Sequence, residues 1–318
     1  MKTNNNDTVT ILLATYNPNT IWFNQLLISL NNQNYPHLFL IVIDDKSDDE
    51  KYEQIIQSLK KYITSFKYLI KRNEKNVGSN ITFERLINNA KSEYIAFCDQ
   101  DDIWNIDKIS SELEFMVSKN KEMVCSDVQI IDEHDKLLCT SMCKYRKRFN
   151  LDPTNYEEYL IYKNFCIGCT ILMKRSLALT ALPFSNIMVH DHELAINAAH
   201  KGALCVYKNQ TLKYRIHKDN QTSVLKNVTN KQTYYINNIH KFSLWVNYLM
   251  NLYPSQYLQN AKLWSVARED NYHKIPGSRK RLKQYGNKNK KTTSFEVYIL
   301  HHPLLMKLVL KLLKNNLL

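Results

Sequence analysis

Glycine is scarce in this 318-residue chain: Gly78, Gly168, Gly202, Gly277 and Gly286 are its only five, and they lie far apart. Neither a GxGxxG fingerprint nor a GxxxxGK loop can be assembled from them, which excludes the usual glycine-rich cradles for dinucleotides and triphosphates. Long apolar runs are missing as well. No stretch reaches the roughly 18 apolar residues a spanning helix needs. The amino terminus, MKTNNNDTVTILLATYN, passes from polar residues straight into a strand-like run without the marks of a secretory signal. Acidic residues are rare at one end. Residues 231–318 hold 3 Asp+Glu against 15 Lys+Arg, whereas residues 1–230 hold 27 against 28. A nearly neutral body therefore carries a basic tail, suited to membrane headgroups or nucleic acid.

The seven cysteines are an odd number in a chain without a signal, which predicts reduced thiols in a cytoplasmic setting. Cys166 and Cys169 form a CxxC, but no second pair stands at zinc spacing and Cys139/Cys143 lacks a nearby histidine pair. These thiols read as buried or incidental.

Apolar, β-branched runs at TVTILLA (8–14), HLFLIVIDD (37–45), FKYLIKR (66–72) and SEYIAFC (92–98) alternate with helical periodicity, as in Leu26, Leu27 and Leu30 or Ile55, Ile56 and Leu59. This β-α-β-α-β-α-β order predicts an α/β fold with a mostly parallel open sheet and helices on both faces. Ligands of such sheets bind beyond the carboxyl ends of the strands. Those ends carry Thr15, Tyr16 and Asn17, then Asp44 and Asp45, then Asp99, Asp101 and Asp102. Farther on, EMVCSDVQIIDEHDKLL reads as a strand entering a hairpin, residues 140–160 as a polar mobile loop, and NFCIGCTILMKR as a strand. IMVHDHELAINAAHKG reads as a loop entering a helix that Gly202 ends, and ALCVYKNQTLKYRIH as a strand. Beyond about 230 the pattern is helical.

The cluster CDQDDIW (98–104) has two readings. Locally it is a cap for a helix predicted near 105–119. Together with Asp44 and Asp45 it is a cation site, because carboxylates converging on one crevice repel each other unless a cation holds them. Mg²⁺ or Mn²⁺, using one or two carboxylates and substrate phosphate oxygens, suits such a place.

In order and spacing, ILLATYN, IVIDDKS, NVGSN, YIAFCDQDDIW, NFCIGCTILMKR, VHDHELAINAAHKG and YRIHKDNQTS resemble the nucleotide-sugar domain of inverting glycosyltransferase family 2, which has the GT-A fold. The likeness covers about residues 8–222 and is greatest to enzymes of bacterial surface-polysaccharide (O-antigen or capsule) assembly, rhamnosyltransferases included. It implies a GT-A domain over 1–230, with a nucleotide-binding half to 105 and an acceptor half after it, and a helical basic region over 231–318. Thr15, Tyr16, Asn17 and Asp45 would hold the nucleoside of a UDP- or dTDP-sugar, with Asp99 and Asp102 also at the donor. Asp101 and His217 would hold Mn²⁺ or Mg²⁺, with Asp102 the other choice for the ion. Asp191 would be the catalytic base, in the HD variant of a commonly ED pair, or else the cap of its helix, with Glu193 as the fallback base. Gly168 and Cys169 would sit beside the glycan acceptor, and Asn220 and Gln221 in a loop over the donor. Arg215 reads equally as a phosphate contact or a structural ion pair.

In the tail, Leu304, Leu305, Leu308, Leu312 and Leu313 recur at helical spacing, with Lys307, Lys311 and Lys314 on another face. Such a helix lies in an anionic membrane interface or packs on its own domain. The first reading places the enzyme on the inner face of the cell membrane, beside a lipid-linked acceptor. Phosphotransfer folds that carry their aspartates on the first strand do not fit, because this first strand ends in Thr-Tyr-Asn. A nucleic-acid-binding protein gives no reason for carboxylates on one sheet edge, so no nucleic acid is expected as a partner. A degenerate, non-catalytic version of the same fold is the remaining alternative.

Overall fold

The computed structural model describes residues 8–146, 149–218, 220, 227–253 and 255–314, with side chains through residue 311. It divides into two compact units, Met1–Lys218 and Asp219–Leu318. The first unit opens with β1 (Val9–Thr15), α1 (Thr20–Asn31), β2 (Leu38–Asp44), α2 (Asp49–Tyr62), β3 (Lys67–Arg72), α3 (Ser79–Asn89) and β4 (Tyr94–Cys98). β1, β2 and β4 are buried along nearly their whole length, as parallel strands covered on both faces must be. Asn19 caps α1 by accepting from the backbone N–H groups of Ile21 and Trp22. The helix buries Phe23, Leu26, Leu27 and Leu30 against the sheet. In α2, Asp49 and Glu50 in the first turn and Lys60 and Lys61 in the last complement the helix dipole.

These four strands pair in the order β3-β2-β1-β4, all parallel, with Thr15 opposite Asp44 and Leu13 opposite Cys98. That register brings the polar strand ends to one edge. After β4 come β5 (Ile103–Trp104), α4 (Lys108–Ser118), β6 (Met123–Ile131), β7 (Leu137–Cys139), α5 (Met142–Tyr145), α6 (Tyr156–Tyr162), β8 (Ile171–Lys174), α7 (Arg175–Leu179), α8 (His190–His200) and β9 (Leu204–Arg215). β8 lies antiparallel between β4 and β6, β9 runs parallel to β6, β5 closes antiparallel on β9, and β7 forms a hairpin with β6. The mostly parallel sheet expected from sequence is therefore corrected to a mixed sheet of GT-A-like form. A continuous apolar run reports burial on both faces of a strand and carries no information on its direction.

Two local expectations also change. Residues 140–160 contain α5 and the start of α6 rather than one irregular loop. Asn155 caps α6 through the Glu158 N–H at 2.8 Å, and Leu151, Leu160 and Ile161 are buried. Helix α4 begins at Lys108, and the residue at its cap position, Asp107, makes no side-chain cap bond. None of Asp99, Asp101 and Asp102 caps it, which removes the local reading of that cluster.

The second unit contains α9 (Lys231–Tyr234), a π-helical turn (Tyr235–His240), α10 (Lys241–Leu252), α11 (Gln256–Tyr272), α12 (Ser278–Tyr285), α13 (Lys290–Tyr298) and α14 (Pro303–Lys314). Its interior holds a buried pair, Arg268 on Glu296, to which the Tyr234 hydroxyl also donates at 2.9 Å. Met306 and Leu310 of α14 join a cluster with Val228, Tyr234, Ile239 and Leu300. Leu304, Leu305 and Leu308 point outward at 86%, 50% and 55% exposure, and Lys307 and Lys311 are exposed with them. The side chains of Leu312, Leu313 and Lys314 lie outside the described residues. Among those described, no helix is long and apolar enough to cross a membrane.

Candidate active site

The β1 and β2 ends are built first as scaffold. The Thr15 hydroxyl donates to Asp44, which also accepts from the Ser47 N–H and lies 3.3 Å from Arg72 Nε. Asn17 adopts φ 43°, in the left-handed region that asparagine tolerates, and links both loops: its N–H donates to Ser47 Oγ and its Oδ1 accepts from Asp48 N–H. Asp45, buried at the end of β2, accepts from Asn73 Nδ2 and from the N–H groups of Val77 and Gly78 at 2.8–2.9 Å. Tyr16 exchanges two hydrogen bonds between its backbone and the Gln100 amide, while the residue stays 48% exposed. This crevice therefore has rigid walls and an open aromatic face.

The acidic turn after β4 is held by β9. Asp102 is fully buried; its Oδ1 accepts from the Arg215 N–H at 3.0 Å, and its Oδ2 has no N–H or O–H partner, only the Cys169 thiol nearby. Arg215 is itself fully buried and donates to the carbonyls of Asp101 and Asp132, to Asp135 and to Gln25. That resolves it as a structural cation. The Asp101 carboxylate, partly exposed, meets His217 Nε2 at 2.7 Å, and the His217 ring packs on Trp22 at 4.8 Å. Asp99, Asp102 and Cys169 offer three ligand atoms within 4.8 Å of one another.

Electrostatics follow from the crowding. Burial, then Asp101 and Asp191, push Asp99 up to about 7. Burial, then Asp101 and Asp99, push Asp102 well above the usual carboxylate range. Burial and the same carboxylates raise the Cys169 thiol, so Cys169 stays protonated beside them. Buried carboxylates that raise one another, with only the weak thiol donor of Cys169 beside them, fit a hard divalent cation held by oxygen ligands. The residues present can hold one.

Asp191 opens α8 with its side chain 91% buried, which raises it to about 7 against the backbone N–H groups of His192 and Gly168 and the Asn164 amide. The glycine turn explains its neighbourhood: a Cβ placed on Gly168 would stand 3.4 Å from His190 Nε2 and 3.8 Å from Asp191 Oδ2. Glu193, two residues on, is committed to the Ser185 N–H and hydroxyl at 2.7–3.1 Å, whereas Asp191 is the acid beside the glycine turn. Asn220 is described, whereas Gln221 lies outside the described residues. Sequence reasoning missed Gln100, Asn164 and Trp22, whose roles arise from contacts across the fold.

Residues 10–179 match the sequence model of glycosyl transferase family 2. The chain belongs to glycosyl transferase family 2. It is a glycosyltransferase with a GT-A-like domain and a helical extension. The enzyme is 28% identical over 212 residues, 66% of its own length and 77% of the relative's, to the Escherichia coli UDP-Glc:alpha-D-GlcNAc-diphosphoundecaprenol beta-1,3-glucosyltransferase WfaP. Its fold resembles S. aureus TarS 1-349 in complex with UDP-GlcNAc, with TM-score 0.56, 14% identity and coverage of 91% of this chain and 81% of that one. It also resembles the mannosyltransferase PcManGT from Pyrobaculum calidifontis in complex with GDP-Man and Mn²⁺, with TM-score 0.57, 13% identity and coverage of 98% and 81%.

Proposed function

We propose that this glycosyltransferase moves a sugar, with inversion, from a UDP- or dTDP-sugar to a lipid-linked glycan acceptor in surface polysaccharide assembly, with Mn²⁺ or Mg²⁺ at the donor. The observation that carries the reading is the pairing of two acidic features: a bunched Asp99/Asp101/Asp102 turn beside His217, and Asp191 beside the glycine turn and near enough to raise Asp99. Asp191 takes the proton of the attacking hydroxyl, and burial, which raises it to about 7, matches that task to neutral pH. Attack from the face opposite the diphosphate inverts the anomeric centre, so base and leaving group sit on different residues. Asp99, Asp101, Asp102 and His217 would hold the cation, which when bound supplies positive charge to the departing diphosphate. Asp45 and the exposed Tyr16 frame the nucleoside end and Gly168, beside Asp191, the acceptor end, whereas Cys169 lies with the carboxylates of the acidic turn. The relative whose name carries a diphosphoundecaprenol acceptor supports the lipid-linked class, the fold neighbour bound to Mn²⁺ supports the cation, and the resemblance of the HD pair supports the rhamnosyltransferase-like branch. A panel of UDP- and dTDP-sugars tested for turnover with a lipid-linked acceptor checks the reading. Excess chelator is expected to lower transfer at least ~100-fold, from the charge stabilisation such an ion supplies. Full activity in chelator overturns the cation's role.

The second unit would bring the enzyme to that acceptor. Leu304, Leu305 and Leu308 stand exposed on α14 beside Lys307 and Lys311, an apolar ridge with cationic flanks suited to anionic headgroups on the inner membrane face. Leu304→Asp with Leu308→Asp changes this ridge without touching the buried Met306 and Leu310. The double variant is expected to lose at least ~10-fold in flotation with anionic liposomes, since each buried leucine contributes about 1.5–3 kcal/mol of apolar transfer. Undiminished flotation removes the ridge from the reading.

A further inference from the structure

His190 is 93% buried, yet neither ring nitrogen has a hydrogen-bond partner. Its position is packed on several sides: the ring stacks on Phe83 at 4.0 Å and 25°, approaches Phe97 at 5.8 Å and Phe184 at 6.2 Å, and the backbone N–H donates to Asn80 Oδ1 at 2.9 Å. Were packing its whole role, phenylalanine would fill the same slot without two unsatisfied buried nitrogens. Burial pushes the imidazole down to about 3, so at working pH it is neutral and offers one N–H and one lone pair. A Gly168 Cβ would stand 3.4 Å from His190 Nε2 and 3.8 Å from Asp191 Oδ2. Two polar atoms on adjacent residues thus border a methyl-sized gap beside Gly168.

We propose that His190 is a sugar-binding residue, hydrogen-bonding a neutral hydroxyl of the acceptor at the Gly168 gap while Asp191 faces the attacking hydroxyl of the same sugar. A hydroxyl is donor and acceptor at once, which matches a neutral imidazole. A carboxylate or phosphate finds no positive charge in this gap and meets Asp191 instead, so the acceptor residue seated here is uncharged at that position. The inference rests on the reading of Asp191 as the base for an acceptor hydroxyl.

His190→Phe keeps the stack on Phe83 and removes both nitrogens, and Gly168→Ala places a methyl in the gap at ordinary contact distance. Wild type and both variants are compared by calorimetric titration with octyl glucoside and octyl N-acetylglucosaminide in the presence of UDP, by acceptor KM, and by thermal melting. Both variants are expected to lose about tenfold in glycoside affinity and in acceptor kcat/KM, with UDP affinity unchanged. His190→Phe should melt no lower than wild type. Equal glycoside affinity in wild type and His190→Phe, with a higher melting temperature in the variant, makes the histidine a packing residue and overturns the proposal. A parallel loss of UDP affinity places it on the donor and overturns it equally. If no glycoside binds the wild type at all, the acceptor reading of the site fails first, a result distinct from equal binding.

Discussion

Asp191→Asn is expected to lower sugar transfer by about 10²–10⁴-fold, the range that general bases contribute, while nucleotide affinity without added cation stays within about twofold, because the crevice of Tyr16 and Asp45 is built without it; Asp99, which Asp191 helps to raise, should ionise at lower pH in the variant. The same variant should melt no lower than wild type at pH 8. The Asp191 carboxyl goes from 3.8 in the unfolded chain to about 7 in the folded one. Between these values the folded state holds a proton that the unfolded state has released, so stability is fully present below about pH 4 and declines as pH rises to 7. Above 7 the buried charge costs at most roughly 4 kcal/mol, which asparagine avoids. Set against this, one of the two backbone N–H groups that lower Asp191 loses its acceptor, so the net gain is smaller. The wild-type rate should rise with pH through an ionisation near 7. A variant with more than a tenth of wild-type activity moves the base elsewhere.

Mn²⁺ should stabilise the enzyme strongly at pH 8 and weakly at pH 5. Asp99, raised from 3.8 to about 7, is protonated at the lower pH and competes with the ion, and burial raises Asp102 in the same direction. In chelator, stability is expected to fall from pH 5 to pH 8 as these protons leave a crowded, buried turn. Mn²⁺ at a hundred times its dissociation constant then restores about 2.7 kcal/mol, a rise of about 5 °C or more in melting temperature. Asp102→Asn should flatten both trends. An equal Mn²⁺ shift at both pH values, unchanged in that variant, places the ion somewhere other than the carboxylates after β4.

The strand ends were legible in the sequence because parallel buried strands write themselves as apolar runs, and the first polar residue after each run marks the edge. Thr15, Asp44, Asp45 and Asp99 could all be placed that way. Periodicity does not say what each acid is for. Asp44 and Asp45 look alike in sequence, yet one is tied to Ser47 and Arg72 and the other to the Val77–Gly78 turn. The orientation of β8, the Asn164 bond to Asp191 and the Cys169 thiol among the carboxylates depend on residues brought together from distant parts of the chain. Nothing local encodes such pairs. On α14 the leucines read as one face, whereas the structure turns Met306 and Leu310 inward and leaves Leu304, Leu305 and Leu308 outside, because a helix packed on its own unit still presents a second apolar edge.

The buried Arg215 joins the Asp101 carbonyl, the Asp132 carbonyl, Asp135 and Gln25, and its own N–H holds Asp102. During synthesis the first four strands emerge with the acidic turn attached, but that turn lacks the contacts that shape it until more than a hundred further residues have left the ribosome. A nascent chain stalled before β9 carries the aspartates without their geometry. On the reading of this turn as the cation site, cation affinity would appear only once β9 is in place.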